Sequence, residues 1–197
     1  MNNLMIDIET LSQQQNAAIA TIAAAFFDPT SGEVGAKFYA RIDWEEDVKT
    51  GGHLSPNTIK WWLRQSSEAR AEIVTDNNER ACIALTDFYD FTIKHKLKNL
   101  PLYVWAKSPS FDLAILKEAF ARYDISSAIA WHYWNERDVR TIEAIGKMLG
   151  ILPHAKSKPS HHAMKDVHDQ ILAVSSVMAR LDSEFNLPPF GYEDEAK

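Results

Sequence analysis

Cysteine is almost missing from this chain of 197 residues, in which Cys82 stands alone. An internal disulfide framework is therefore excluded, and a reducing compartment is expected. The start, Met1-Asn2-Asn3-Leu4, lacks a basic n-region leading into an apolar stretch with a cleavage site, so no secretory leader is expected. Long hydrophobic runs are missing too. The longest, from Ala17 to Phe27, falls short of the about 20 residues that cross a bilayer, and the expectation is a cytoplasmic protein without a membrane partner. Nor is positive charge in excess. The formal net charge of -6 argues against a general polyanion binder, though not against an acidic cluster whose charge is offset by bound cations.

Hydrophobic residues at 46% and charged residues at 24% match an ordinary globular domain, expected over residues 1–183 with a tail over 184–197. Residues 3–9 alternate, with Leu4, Ile6 and Ile8 on one face and Met5, Asp7 and Glu9 on the other, which predicts a strand. The run from Ala17 to Phe27 reads as a buried strand closed by the turn Asp28-Pro29-Thr30-Ser31-Gly32. A third strand from Val34 to Ile42 completes an antiparallel meander. Ser55-Pro56 opens a helix as N-cap and first-turn proline, with Ile59, Trp62, Leu63 and Ala69 as its apolar stripe. A second helix is expected over about 78–96, with Ile83, Phe88, Phe91 and His95 at its spaced positions. Residues 102–106 form a short strand. After Lys107-Ser108-Pro109-Ser110 comes a helix striped by Leu113, Leu116, Phe120 and Tyr123. A short strand at about 137–140 leads into a helix over 141–149 closed by Gly150. A last helix is expected over about 161–181, with Ser160 as its N-cap. The pattern is an α/β domain with a mixed sheet.

Two carboxylates one residue apart in an apolar strand need an explanation. On a strand Asp7 and Glu9 share a face about 7 Å apart, where two ionised groups repel by roughly 2–3 kcal/mol at an effective dielectric of about 20. Solvent, a bound proton or a cation must compensate. Asp112 opens a helix directly after a strand and loop, and Asp166 lies on a helix otherwise rich in core residues. Each acid has an ordinary explanation alone: a solvated strand face, an N-terminal helix acid, a surface acid beside a lysine. Together they supply four oxygen donors suited to hard cations such as Mg²⁺ or Mn²⁺, enough to hold two ions for in-line displacement at phosphorus. His161 adds a group that titrates near neutrality. Its i,i+5 offset from Asp166 suggests the mouth of such a site rather than its floor.

Asp7-Ile8-Glu9-Thr10, Phe111-Asp112 and His161-x-Ala163-x-x-Asp166 resemble, in order, the three motifs of the DEDDh group of DnaQ-like 3′-5′ exonucleases. The stretches Thr58-Ile59-Lys60-Trp61-Trp62-Leu63-Arg64-Gln65-Ser66 and Trp134-Asn135-Glu136-Arg137-Asp138-Val139-Arg140-Thr141 resemble the branch with RNase AS, phage exonuclease A and exonuclease VIII-like proteins. The likeness spans about residues 3–180. It implies an RNase H-like fold, a central mixed five-stranded sheet flanked by helices. It also implies a phage setting, and hydrolysis of single-stranded DNA or RNA from the 3′ end to nucleoside 5′-monophosphates. Asp7, Glu9, Asp112 and Asp166 would bind two divalent cations, Mg²⁺ or Mn²⁺, with Asp7 bridging them. His161 would be the general base, with His162 as the other register. Thr10 and Leu11 would lie against the terminal nucleotide. Related enzymes are often dimers, which suggests a homodimer.

Lys94, Lys96 and Lys98, and separately Lys156 and Lys158, are basic clusters that either form a solvated face or meet phosphates. Trp61 and Trp134 are candidates for stacking on bases, whereas the spacing of Trp62 with Ile59 points to the core. His154, His161, His162 and His168 lack zinc-site spacing. Asp169 and Gln170, one turn beyond Asp166, are candidates to support the ligands from behind. Two rivals stay open: a catalytically idle nucleic-acid-binding or scaffold module of the same fold, and an RNase H-like endonuclease that gives His161 no role.

Overall fold

The structure is a computed structural model that describes residues 1–74, 78–125, 129–151 and 161–186. The expectations for His154, Lys156, Lys158, Ser160 and the tail beyond Asn186 lie outside the described residues.

A five-stranded sheet runs in the order β3-β2-β1-β4-β5, from β1 (Asn3–Thr10), β2 (Ile19–Phe27), β3 (Val34–Arg41), β4 (Tyr103–Ala106) and β5 (Glu136–Asp138). The first three strands form the expected antiparallel meander. β4 and β5 add in parallel to β1, which makes the sheet mixed. Helices cover both faces: α1 (Trp44–Lys49), α2 (Pro56–Trp62), α3 (Ser67–Ala71), α4 (Ala81–His95), α5 (Asp112–Arg122), α6 (Val139–Met148) and α7 (Ala163–Phe185). No helix among the described residues is long and apolar enough to cross a membrane.

The alternation in β1 divides the core. Leu4, Ile6 and Ile8 join Ile22, Ala24 and Phe26 under α4 and α5. Met5 joins Ala23, Ala25, Phe27 and Trp105 under α7, through Val167, Ile171 and Val174. Continuing along the α7 face beyond Met5, the next two positions are Asp7 and Glu9. A strand covered on both faces has no water with which to solvate acids, so the pair must look into a cavity. Gly146 lets α6 approach α7 closely, since a Cβ there would come within 2.6 Å of Val177 Cγ2.

Several expectations need correction. The helix opened by Ser55 does break after Trp62, because Ser66 caps a new helix by accepting the Ala69 N–H; Leu63 therefore turns outward, 66% exposed. α1 was not expected: Asp43 caps it, but too short a stretch of sequence follows to show helical period. Ile83 lies on the exposed side of α4, whereas the His95 ring, though accessible, packs on Phe91 and Phe26. The N-cap of α7 is His162, and the helix runs on to Phe185, where Asn186 closes it in the left-handed region.

Asp47 of α1 ties three elements together. It accepts from the Ile19 N–H at 2.9 Å, from Arg122 Nη2 at 2.9 and 3.1 Å, and from the Tyr123 hydroxyl at 2.9 Å. Both Asp47 and Arg122 are almost fully buried. Asp47→Ala would leave the buried guanidinium of Arg122 only its pair with Glu118 and the Ile19 N–H without its acceptor, and the expected loss is about 3 kcal/mol in denaturant unfolding; a loss under about 1 kcal/mol would show the pair to be solvated.

Candidate active site

Three parts of the chain bring acids to the α7 face of β1. Asp7 and Glu9 come from the strand itself, with a register shift between Glu9 and Thr10 that re-aims the end of β1, as bulges do beside sites. Asp112 is the first residue of α5, delivered by the turn that leaves β4, and its Oδ1 accepts the Ile8 N–H at 3.3 Å. Asp166 sits in the first turn of α7, its Oδ2 accepting the His161 N–H at 3.1 Å. All four carboxylates and His161 line one pocket of about 660 Å³. One ligand atom each from Glu9, His161 and Asp166 lie within 4.8 Å of one another.

The helical offset between His161 and Asp166 misjudged the histidine. His161 precedes the helix, with φ of 65°, so helical faces do not apply to it and its ring returns to the acids. Its imidazole packs edge-on against Trp61, with ring centroids 4.7 Å apart.

Gln170, one turn beyond Asp166, donates from Nε2 to Asp7 Oδ1 at 2.7 Å, and Asp169 also lines the pocket. Two cations on the rim were missed in the sequence. Lys107 pairs with Glu143, and Arg140 donates from Nε to Ser108 Oγ at 2.9 Å; both line the acidic pocket. They follow the C-terminal ends of β4 and β5, and that position was the signal that could have found them.

A second pocket of about 580 Å³ adjoins the first, sharing Ile8, Glu9, Gln13 and Phe111. Thr10, Ser12, His53, Asn57, Thr58 and Trp61 give it a polar wall and one aromatic flank. Ser12 Oγ and His53 Nδ1 are 2.7 Å apart. Thr10 is in this wall, its hydroxyl donating to the Ser12 carbonyl at 2.7 Å. Leu11 is not. It is wholly buried with Ala18, Ala20 and Trp62, because the bulge turns it inward, so the expectation that it touches a nucleotide is corrected. Trp62 is buried as expected and donates from Nε1 to the Thr10 carbonyl at 3.0 Å. Trp134 is exposed and stacks on His132 away from both pockets. Lys94, Lys96 and Lys98 flank the entry to β4, the opposite end of that strand from Lys107, and line neither pocket. His168 faces Lys37; burial first, then that lysine, lowers its pKa.

The charge arrangement is self-opposed. Burial pushes the Asp7 carboxyl well above its ordinary value, with Asp112, Glu9 and Asp166 adding to the rise and the Gln170 amide opposing it. Burial likewise pushes Asp112 up to about 6, against the stabilising Ile8 N–H and Arg140. Oxygen donors that repel one another in a cavity lined on one side by Lys107 and Arg140 fit hard divalent cations.

Comparison with known proteins agrees with this geometry. Residues 2–178 match the model of the 3′-5′ exoribonuclease Rv2179c-like domain. An exodeoxyribonuclease of Enterobacteria phage T4 is 29% identical over 164 residues, covering 74% of this chain and 72% of that protein. Among solved structures, E. coli exonuclease I in complex with a dT13 oligonucleotide superposes with a TM-score of 0.61 at 18% identity, covering 93% of this chain. The chain spans only 42% of that larger protein. Cell-death related nuclease 4 superposes with a TM-score of 0.57 at 14% identity, covering 93% of this chain and 64% of that one. The fold is thus that of DnaQ-like, RNase H-like exonucleases.

Raised carboxylate pKa values have a thermodynamic sign. A carboxyl whose folded pKa lies above its ordinary value, near about 4, stabilises the fold below that value. The contribution is lost as pH rises through the folded pKa, about 6 for Asp112. At about pH 8, Asp112→Asn is therefore expected to raise the melting temperature of EDTA-treated protein by a few degrees, while abolishing the rise that Mn²⁺ brings to the parent. A lower melting temperature without metal would contradict the charge arrangement.

Proposed function

The chain belongs to the Rv2179c-like 3′-5′ exoribonuclease domain family, and from that premise we propose that it removes nucleotides singly from the 3′ end of single-stranded DNA or RNA, releasing nucleoside 5′-monophosphates. One observation carries the proposal: four carboxylates and a histidine from three distant stretches share one pocket, beside a second pocket large enough for a nucleoside. The dT13 oligonucleotide in the E. coli exonuclease I complex supports the substrate class.

Asp7, Glu9, Asp112 and Asp166 would hold two divalent cations, Mg²⁺ or Mn²⁺. Such a pair supplies Lewis acidity at the scissile phosphate. The remaining work falls to this chain's own groups. The terminal nucleoside enters the second pocket, where Thr10 and the flank of Trp61 bound it; an aromatic flank adds about 1–3 kcal/mol per stacked base. Lys107 and Arg140 meet the phosphates from the rim, Arg140 already oriented by Ser108. His161 takes the proton of the attacking water on a ring nitrogen as the P–O3′ bond to the penultimate nucleotide breaks. The departing 3′ oxygen then takes up a proton, and the shortened strand carries a 3′ hydroxyl.

The test is a panel of 5′-labelled single-stranded DNA and RNA oligomers with Mg²⁺, Mn²⁺ or EDTA. A ladder shortening one nucleotide at a time from the 3′ end, absent with EDTA and with Asp7→Ala, is expected. Intact oligomers, or internal cuts, would overturn the proposal. His161→Gln should lower kcat by about 10²- to 10⁴-fold, with oligomer binding retained in a gel-shift assay.

A further inference from the structure

A second cluster of buried charge lies two strands away from the acidic pocket, on the same face of the sheet. Pairing across the strands sets Asp7 opposite Ala23 and Ala23 opposite Tyr39; one step on, Glu9 faces Thr21 and Thr21 faces Arg41. Tyr39 and Arg41 on the edge strand thus continue the rows that begin with the two acids, about 9–10 Å away at the spacing of neighbouring strands. Both converge on Glu72, which follows α3 and is 2% exposed. Tyr39 donates its hydroxyl to Oε2 at 2.5 Å, and Arg41 donates from Nη2 to Oε1 at 3.2 Å. The Thr21 hydroxyl donates to the Glu72 carbonyl at 3.3 Å, holding its backbone over β2, the strand between β1 and β3.

The fourth member of this cluster is His162. Its Nε2 lies 3.6 Å from Glu72 Oε1, and its ring stacks on Tyr39 at 5.8 Å with 29° between the planes. An N-cap residue ordinarily spends its side chain on the free N–H groups of its own helix. His162 is the N-cap of α7 and makes no such bond. Its side chain instead rests on the Tyr39 ring and turns Nε2 toward Glu72, at ion-pair range rather than hydrogen-bond length.

The residue before it is His161, at a φ of 65° that a side-chain-bearing residue seldom adopts. Such a backbone persists where its surroundings fix it. Asp166 holds the N–H of His161 and Trp61 bounds its ring. On the far side, the peptide that leaves His161 is fixed by whatever holds His162. Two consecutive residues thus straddle the sheet, one reaching the acids above β1, the other the Glu72 cluster above β3.

We infer that Glu72, steadied by Tyr39 and Arg41, is a positioning residue for His161: by anchoring His162 it fixes the turn from which His161 reaches the acidic pocket. The inference rests on the reading of His161 as the proton acceptor. Glu72 itself touches no reacting atom, and its effect must travel through the His161–His162 turn.

Five variants and two readouts decide it. Glu72→Gln keeps the size of the side chain, and His162→Phe keeps the stack on Tyr39 while removing Nε2. Should Glu72→Gln fail to fold in a thermal melt, His162→Phe, whose side chain is partly exposed, carries the test alone. Each is expected to lower kcat on a single-stranded oligomer by about 10- to 100-fold, the scale for groups that orient a functional side chain from behind, with KM changed by less than about twofold. In a His161→Ala background, neither is expected to slow the enzyme further. The second readout needs neither metal nor turnover. In metal-free protein labelled at histidine, the ring resonances of His161 should shift or broaden in Glu72→Gln and His162→Phe. Unchanged His161 resonances, or an equal loss of kcat with and without His161, would overturn the inference. Full activity of His161→Ala alone would instead sink the proton-acceptor reading, while the resonances still decide whether the clamp holds the ring.

Discussion

Four carboxylates placed against one face of a buried strand repel one another, and much of the surrounding structure manages that repulsion. β1 can carry Asp7 and Glu9 on its inner face only because a cavity opens where α7 begins, since the same face is closed by Met5, Val167 and Ile171 a little further down. The helix cannot lie lower without burying the acids dry. Asp112 is eased by the Ile8 N–H and by Arg140, Asp7 by the Gln170 amide. These donors soften the repulsion without cancelling it, as the raised carboxyl pKa values of Asp7 and Asp112 show. Carboxyls left in mutual repulsion beside a cavity are the arrangement that perturbs pKa values at functional sites.

The adjoining pocket follows from the same edge of the sheet. Where β1 ends in a bulge, Leu11 turns into the core and the Thr10 carbonyl is taken by the indole of Trp62. The neighbouring indole points the other way, 40% exposed, with its ring 5.0 Å from that of Trp62 and 4.7 Å from that of His161. One dipeptide, Trp61-Trp62, thus anchors α2 with one ring and walls the second pocket with the other. That pocket and the histidine share the Trp61 ring, which couples the place where a nucleoside would sit to the group that would take a proton.

The acids were legible in the sequence because each stands where local pattern makes it anomalous: Asp7 and Glu9 in an alternating apolar strand, Asp112 at the first position after a strand and loop, Asp166 amid core positions of a helix. The antiparallel meander of the first three strands was legible through the same alternation and the turn at residues 28–32, whereas the placing of β4 and β5 beside β1 was not. Lys107, Arg140 and Glu72 were not, since each sits in a locally ordinary setting and acquires its place only through pairing of strands far apart in the chain. Leu11 failed for the opposite reason. Its neighbours along the motif face the pocket, but a register shift of one residue sends the next side chain into the core, and no residue type announces that shift. His161 was placed wrongly because a helical offset was applied to a residue that lies just before the helix, where a left-handed backbone returns the ring to the acids.

Three carboxylates set into the fold show how far identity alone falls short of role. Asp47 receives an N–H, one guanidinium nitrogen shared by both its oxygens and a phenol, a satisfied structural knot. Glu72 receives a phenol and a guanidinium on one sheet face and has an imidazole within ion-pair range. Asp7 receives one amide and faces three other acids. All three are acids in apolar surroundings, and while Asp7 stands out in its alternating strand, nothing in the sequence around Asp47 or Glu72 tells those two from surface acids. What separates them is the balance of donors against like charges. Paired acids hold the scaffold rigid, and that rigidity is what lets the unpaired one be held where its charge is costly.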